Sequence, residues 1–164
     1  MAHLRAPQKP VATPRAMQSA TDIVDTSFLE SLLGYNARRA ALAVIDVFLK
    51  RMAQFQLKPV DFSVLSVVAH NPGITSRQLC HTLGILPPNL VGMVNALEKR
   101  ELVVREPHPR DGRAMGLHLT DSGVKLVGDA ERVAAALEAD VAGRLSPTEL
   151  KTLIKLLKKV YQPA

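Results

Sequence analysis

The chain has 164 residues, of which 47% are hydrophobic and only 4% aromatic, and its formal net charge is +6. This hydrophobic fraction is enough for a packed core and excludes a wholly disordered chain. Because Leu, Val and Ala dominate over aromatic residues, helices are favoured over an all-β fold. The positive charge suits a polyanionic partner, although basic surfaces also serve solubility.

The single cysteine, Cys80, excludes a disulfide within the chain and favours a reducing compartment. No apolar run approaches the ~20 residues needed to span a bilayer. The N-terminal stretch also lacks the apolar segment of a secretory signal. We therefore predict a cytoplasmic protein without membrane contact. Residues 1–22 are rich in proline and basic residues, which predicts a disordered basic arm. This arm is either a solvated tail or a contact to nucleic-acid phosphates.

Residues 27–57 predict one long helix with two apolar faces. The faces repeat at spacings of three and four and comprise Leu42, Ile45, Leu49 and Met52 on one side, and Val44, Phe48 and Phe55 on the other. A helix that is apolar on two sides packs against two bodies, here its own domain and a second subunit. We therefore assign residues 23–58 as an N-terminal dimerisation helix.

A pair of short helices is predicted in the middle of the chain, after a helix that Pro59 opens and Asn71-Pro72-Gly73 ends. The sequence Thr75 to Gln78 is a capping box that starts the first helix of the pair, and Gly84 ends it. Two prolines open the second helix. Its inward stripe is Leu90, Met93 or Val94, and Leu97, and its outward face is Asn89, Val91, Gly92, Asn95 and Ala96.

Two short strands, Leu102 to Arg105 and Gly116 to Leu119, are predicted next, joined by a loop from His108 to Arg113. Thr120 then caps a helix to about Arg144, and a capping box at Ser146 starts a last amphipathic helix. The fold class is therefore mainly α with a small β-hairpin wing. Residues 59–120 form a winged helix-turn-helix DNA-binding region, and residues 121–164 form C-terminal dimerisation helices.

Four motifs stand in order over nearly fifty residues: T-S-R-Q-L from Thr75, L-E-K-R-x-L-V-x-R from Leu97, D-x-R from Asp111 and L-T-x-x-G from Leu119. With them the chain from about Leu29 onward resembles the MarR family of bacterial winged-helix transcription regulators. The resemblance implies an obligate dimer, DNA reading by the second helix and the wing, and in many members DNA release by a small acidic or aromatic ligand. The family usually has Gly where Glu101 stands, and it commonly shows Ser, Thr and Arg on the outward face of the recognition helix.

The predicted contacts to double-stranded DNA are of three kinds. Asn89 and Asn95 are expected to pair with adenine, and Val91 to pack on a thymine methyl, on a face that also contains Pro88 and Gly92. Phosphate contacts are expected from Ser76, Arg77 and Lys99 or Arg100. In the wing, Arg113 is expected to enter the minor groove, with Asp111 orienting it and Arg110 beside it. The alternative for each residue is a solvated surface position or, for Asn89, a role in capping its helix.

The candidate effector site consists of Tyr35, Arg38, Arg39, Phe62 and Leu65. An arginine there would hold the carboxylate or phosphate of an aromatic acid or its CoA thioester. The alternative is dimer packing with exposed arginines. No nucleophile pair, phosphate loop or metal-ligand spacing is present, so we predict no enzyme activity, no metal and no cofactor. The predicted function is a homodimeric, ligand-released repressor on a near-palindromic operator. The alternative is a sequence-tolerant architectural DNA-binding protein without an effector.

Overall fold

The computed structural model describes residues 24–108, 111–141, 143 and 145–162, and for residues 108, 111–113 and 138–141 it describes the backbone alone. The predicted basic arm, residues 1–22, and Arg110 lie outside the described residues. The chain divides into two units, Met1–Asn36 and Ala37–Ala164.

The first unit contains a break in the predicted N-terminal helix. Instead of one helix over residues 27–57, a short α1 (Ser27–Glu30) precedes α2 (Leu33–Met52). The side chain of Asn36 donates to the carbonyls of Glu30 and Leu32, at 2.7 and 2.8 Å. Asn competes with the backbone for such hydrogen bonds, so it satisfies carbonyls that a continuous helix would use. Apolar periodicity alone did not reveal this interruption, and the prediction of one helix was wrong.

The second unit begins within α2, which ends earlier than predicted. A 3-10 turn (Ala53–Phe55) follows α2, and Gln56 closes it with a φ of 52°. Pro59 then occupies the first position of α3 (Pro59–His70), as predicted. Proline is tolerated there because its missing N–H would have no helical partner.

The middle of the chain folds as a three-stranded antiparallel sheet with two helices inserted between its first two strands. Strand order is β1-β3-β2, and the elements are β1 (Ile74–Thr75), α4 (Ser76–Leu83), α5 (Pro87–Lys99), β2 (Val103–His108) and β3 (Asp111–Leu119). Ile74 pairs with Leu117 in a short strand contact. The hairpin strands are longer than predicted, since Glu106 pairs with Gly116 and Pro107 with Met115. Backbone pairing in a projecting hairpin does not require apolar side chains, so the hydrophobic pattern marked only its base.

Two helices complete the fold: α6 (Asp121–Val141) and α7 (Pro147–Tyr161). The core lies where α3, α4, α5 and α6 meet the sheet. Its largest fully buried side chains are Met52, Leu65, Leu79, Leu90, Leu97, Leu117, Val64, Val68 and Val94. Among the described residues, no helix has the length and apolar character needed to cross a membrane.

The wing is joined to α6 through a close contact at Gly123. A Cβ placed on Gly123 would lie 2.1 Å from the carbonyl oxygen of Leu102, so only glycine fits. Thr120 caps the helix, because its hydroxyl accepts from the Gly123 N–H at 3.0 Å and donates to the Glu101 carbonyl at 2.5 Å. In the L-T-x-x-G sequence, the glycine is therefore required by steric fit and the threonine by its hydrogen bonds at the base of the wing.

Candidate nucleic-acid interface

The first turn of α4 offers exposed donors. The predicted capping box is confirmed, since Thr75 Oγ1 accepts from the Gln78 N–H at 3.3 Å and Gln78 Oε1 accepts from the Thr75 N–H at 2.9 Å. Ser76 and Arg77 follow directly and are exposed. The N-terminus of a helix favours anions, because its N–H groups point outward and the helix dipole is positive there. This placement suits the phosphate contacts predicted for Ser76 and Arg77.

Helix α5 has a buried face and an exposed face, as the sequence predicted. Leu90, Val94 and Leu97 are each 1% exposed and anchor it in the core. The opposite face consists of exposed residues that include Pro88, Asn89, Val91, Gly92 and Asn95. A helix held by one face with its other face in solvent has the geometry needed to enter a DNA major groove.

An arginine in the wing connects β2 to this exposed face. Arg105 Nη2 donates to Asn95 Oδ1 at 2.9 Å, and Arg105 Nη1 lies 2.9 Å from Glu98 Oε2. Asn95 and Glu98 are three residues apart on α5, so they lie on the same side of the helix. Sequence reasoning assigned no role to Arg105, although the L-E-K-R-x-L-V-x-R motif contains both Glu98 and Arg105. The missing signal was tertiary, because only the β2–α5 packing brings them together.

Lys99 and Arg100 differ in their surroundings. Arg100 donates through Nη1 to the Gln56 carbonyl at 3.0 Å and through Nη2 to the Phe55 carbonyl at 2.8 Å. Its guanidinium therefore fixes the end of the 3-10 turn, which competes with the predicted phosphate contact. Lys99 is exposed. Of the two alternatives, Lys99 is the better placed for a phosphate.

The tip of the wing is described only in part. Arg110 lies outside the described residues, and Asp111 and Arg113 are placed on β3 by their backbone alone. The predicted ion pair between Asp111 and Arg113 and the minor-groove contact of Arg113 stay predictions. Below the tip, His118 Nε2 lies 3.8 Å from Glu106 Oε2 across the hairpin.

The turn between α5 and β2 places a non-glycine residue in the left-handed region. Glu101 has a φ of 55°. The Leu102 N–H donates to the Leu97 carbonyl at 3.1 Å, and the Glu101 N–H donates to the Glu98 carbonyl at 2.8 Å. These two bonds form a Schellman motif, in which the left-handed position favours glycine. The turn is therefore preserved despite the glutamate, which stands where the resemblance would place glycine.

A cavity of about 310 Å³ opens between α3, β3 and α6. Its lining is largely apolar and contains two polar side chains, His118 and Glu131, to which the sequence analysis assigned no ligand. The lining residues are Val68, Ala69, Pro72, His118, Leu119, Val124, Val127, Gly128 and Glu131. Glu131 Oε1 accepts from Ser66 Oγ at 2.7 Å and lies 3.0 Å from His70 Nε2. This network links α3 to α6 at the rim. An apolar cavity with a few polar groups has the character of a small-molecule site.

The effector residues predicted from the sequence fall in several environments. Arg38 and Arg39 are exposed on α2, and half-buried Phe62 packs edge-on against Phe48, with ring centroids 5.6 Å apart. Leu65 is fully buried, at 0% exposure, so it cannot touch a ligand in this conformation and serves the core instead. Tyr35 is half-buried and belongs to the first unit.

Cys80 is half-buried and packs against the core. Within the part of the chain that the structure describes, no group of three or more His, Cys, Asp or Glu side chains is arranged to hold a metal ion.

Comparison with known proteins agrees with this geometry. A model of the MarR family matches residues 55–114. A candidate transcriptional regulator for the hcr operon of Thauera aromatica is 33% identical over 131 residues, which is 79% of each chain. Two solved structures of the transcriptional repressor CouR are also similar. The structure bound to a 23-mer DNA duplex is 37% identical with a TM-score of 0.80, and covers 85% of this chain and 99% of that chain. The structure bound to p-coumaroyl-CoA is 35% identical with a TM-score of 0.79, and covers 86% and 99%. The chain belongs to the MarR family of DNA-binding transcriptional regulators and is not an enzyme.

Proposed function

We propose that this protein is a homodimeric repressor that binds a near-palindromic operator and is released by an aromatic acid or its CoA thioester. The observation that carries the proposal is the exposed face of α5 beside the wing, with the N-terminus of α4 next to it. The cytoplasmic location predicted from the single cysteine stays a prediction.

Apolar surface on the second unit supports the homodimer. On α2, Leu42, Ile45 and Leu49 are 46%, 39% and 46% exposed. On α7, Leu156 and Val160 are 53% and 64% exposed. Apolar stripes of this kind are costly in water, and a two-fold interface buries the same stripe on both copies. Sedimentation at micromolar concentration should give a dimer, and a monomer would contradict the proposed assembly.

Operator binding is tested by gel shift at fixed salt. DNA from upstream of the gene should bind at least ten-fold more tightly than a scrambled duplex of equal length, since specific and non-specific binding commonly differ by about 10³ or more. In the operator, half-site centres should be about one DNA turn apart, ~34–36 Å, because each subunit places one α5 in the major groove. Equal affinity for both duplexes would contradict the repressor proposal.

The ligand class is supported by the p-coumaroyl-CoA bound in one CouR structure. A ligand that binds only the native state raises the melting temperature, by a free energy of ~2.7 kcal/mol at a concentration of 100 Kd. We expect p-coumaroyl-CoA, or another aromatic acyl-CoA, to raise the melting temperature and to weaken DNA binding. Free CoA and the free acid are the controls, because they show how much of the affinity each end of the ligand contributes.

Two locations for the ligand are separable by substitution. Gly128→Met would fill the cavity between α3, β3 and α6, and a Cβ at Gly128 meets no atom within 4 Å. Arg38→Ala and Arg39→Ala remove the exposed cations of the sequence-predicted site. If the acyl group occupies the cavity, Gly128→Met alone abolishes the thermal shift by the acyl-CoA. If the site is on α2 and α3, the arginine variants weaken that shift and Gly128→Met does not.

The composition of the α5 face favours a second candidate function. Pro88, Val91 and Gly92 contribute no side-chain hydrogen bonds to base edges, which suits a sequence-tolerant architectural protein without an effector. Such a protein would bind operator and scrambled DNA equally and would show no thermal shift with any acyl-CoA. The two functions are therefore distinguished by the same two experiments.

A further inference from the structure

We infer that Arg105 is a positioning residue that fixes the amide orientation of Asn95, so that Asn95 selects a base with a hydrogen-bond acceptor in the major groove. The inference rests on the proposed placement of α5 in that groove. It adds a specificity rule for one base pair in each half-site.

The orientation follows from donor and acceptor chemistry. An asparagine amide has an oxygen and an NH2 group that can exchange places by rotation, and its surroundings decide between the two. A guanidinium has only donors, so the atom of Asn95 that faces Arg105 Nη2 at 2.9 Å must be the oxygen. Asn95 Nδ2 is therefore turned away from Arg105.

The arginine is itself held in place. Its other terminal nitrogen, Nη1, lies 2.9 Å from Glu98 Oε2, with the two side chains 35% and 27% exposed. The guanidinium thus uses two different nitrogens for two partners on α5, which fixes its plane. The charge-assisted hydrogen bond from Arg105 restricts the Asn95 amide before DNA binds, so the amide loses less conformational entropy on binding.

Base selection follows from the fixed donor. Guanine presents N7 and O6 as acceptors in the major groove, adenine presents N7 and thymine presents O4, whereas cytosine presents only a donor. Asn95 oriented by Arg105 should therefore reject cytosine at its contact. Adenine is still accepted through its N7 acceptor, because the Nδ2 donor needs only that atom while Oδ1 is held by Arg105.

The experiment is selection of binding sites from a randomised duplex library by the full chain. Wild type should enrich a motif in which one position of each half-site excludes cytosine by roughly 5- to 160-fold, the range of a good base contact. Asn95→Ala and Arg105→Met should both lose this exclusion, and the double variant should lose no more. Glu98→Gln is the matched control, because it removes the charge of the pair but keeps an acceptor for Nη1, and it should retain the wild-type motif.

Further measurements separate positioning from folding. Arg105→Gln ends in both a donor and an acceptor, so it no longer decides which amide atom of Asn95 faces it, and it should lose the exclusion of cytosine even if Arg105→Met unfolds. When a purine is preferred at that position, replacing it with the 7-deaza base should weaken wild-type binding but not binding by Asn95→Ala. An Arg105→Gln protein that keeps the full motif would overturn the inference and leave the proposed function intact. A wild type that enriches no sequence would overturn both.

Discussion

Replacing Glu101 with glycine should stabilise the fold, although the change removes a whole side chain. Glu101 has a φ of 55°, and the left-handed region costs an L-residue about 1–2 kcal/mol. Glycine avoids that cost but has a more flexible unfolded state, which offsets about 0.4–1 kcal/mol. The free energy of unfolding should therefore rise by up to about 1.6 kcal/mol.

Contacts at the turn support this magnitude. The Glu101 side chain is exposed, and the hydrogen bonds at this residue are made by its backbone. Its carbonyl accepts from Thr120 Oγ1 at 2.5 Å and from Ser122 Oγ at 2.6 Å, and both bonds survive in a glycine variant. The substitution therefore relieves backbone strain without opening a cavity.

The assay is urea unfolding of wild type, Glu101→Gly and Glu101→Ala at one protein concentration, since dimer stability depends on concentration. Alanine removes the same side chain and keeps the strain, so it is the matched control. For a chain of this size, 1 kcal/mol corresponds to a melting-temperature change of about 2–4 °C. A glycine variant no more stable than the alanine variant would refute the reasoning.

Three further outcomes are expected. Gly123→Ala should destabilise by more than about 2 kcal/mol in the same unfolding assay, because its Cβ would meet the Leu102 carbonyl at 2.1 Å, whereas Gly128→Ala should be neutral or stabilising. Hydrogen bonds from the Ser146 backbone N–H and hydroxyl hold the pKa of Glu149 below its ordinary 4.5. Their contribution to the free energy of unfolding is therefore present above about pH 4.5 and is lost as the pH falls through the lowered pKa. Acid titration of the stability of Glu149→Gln should lack this contribution. Lys99→Ala should lower the slope of log DNA affinity against log salt concentration by about 1 per phosphate contact. Arg100→Ala should leave this slope unchanged and lower the free energy of unfolding by roughly 1 kcal/mol.

Sequence periodicity and capping chemistry predicted most of the DNA-binding region. The buried stripe of α5 and the capping boxes at Thr75 and Ser146 are local features, decided by residues three or four apart, and they are confirmed. The break before Leu33 was missed because it depends on hydrogen bonds from one side chain, Asn36, that do not disturb the apolar pattern.

The candidate site was less predictable because its side chains find partners far away in the chain. Arg100 donates hydrogen bonds to carbonyls 44 and 45 residues before it in the chain. Glu131 accepts a hydrogen bond from Ser66, which lies 65 residues before it. No spacing rule reports such contacts. The exposed face of α5, by contrast, follows from helical geometry once its buried face is known.

Charge at the interface shows why these internal contacts matter for function. From Ile74 to Arg113 the sequence has six Lys or Arg residues: Arg77, Lys99, Arg100, Arg105, Arg110 and Arg113. Arg100 is committed to two carbonyls, and Arg105 to Glu98 and Asn95. Each cation that contacts a phosphate releases counterions, so DNA affinity should depend on the cations that remain. These are Arg77, Lys99, Arg110 and Arg113. Arg105 then acts on sequence preference through Asn95, and affinity and base selection should respond to different substitutions.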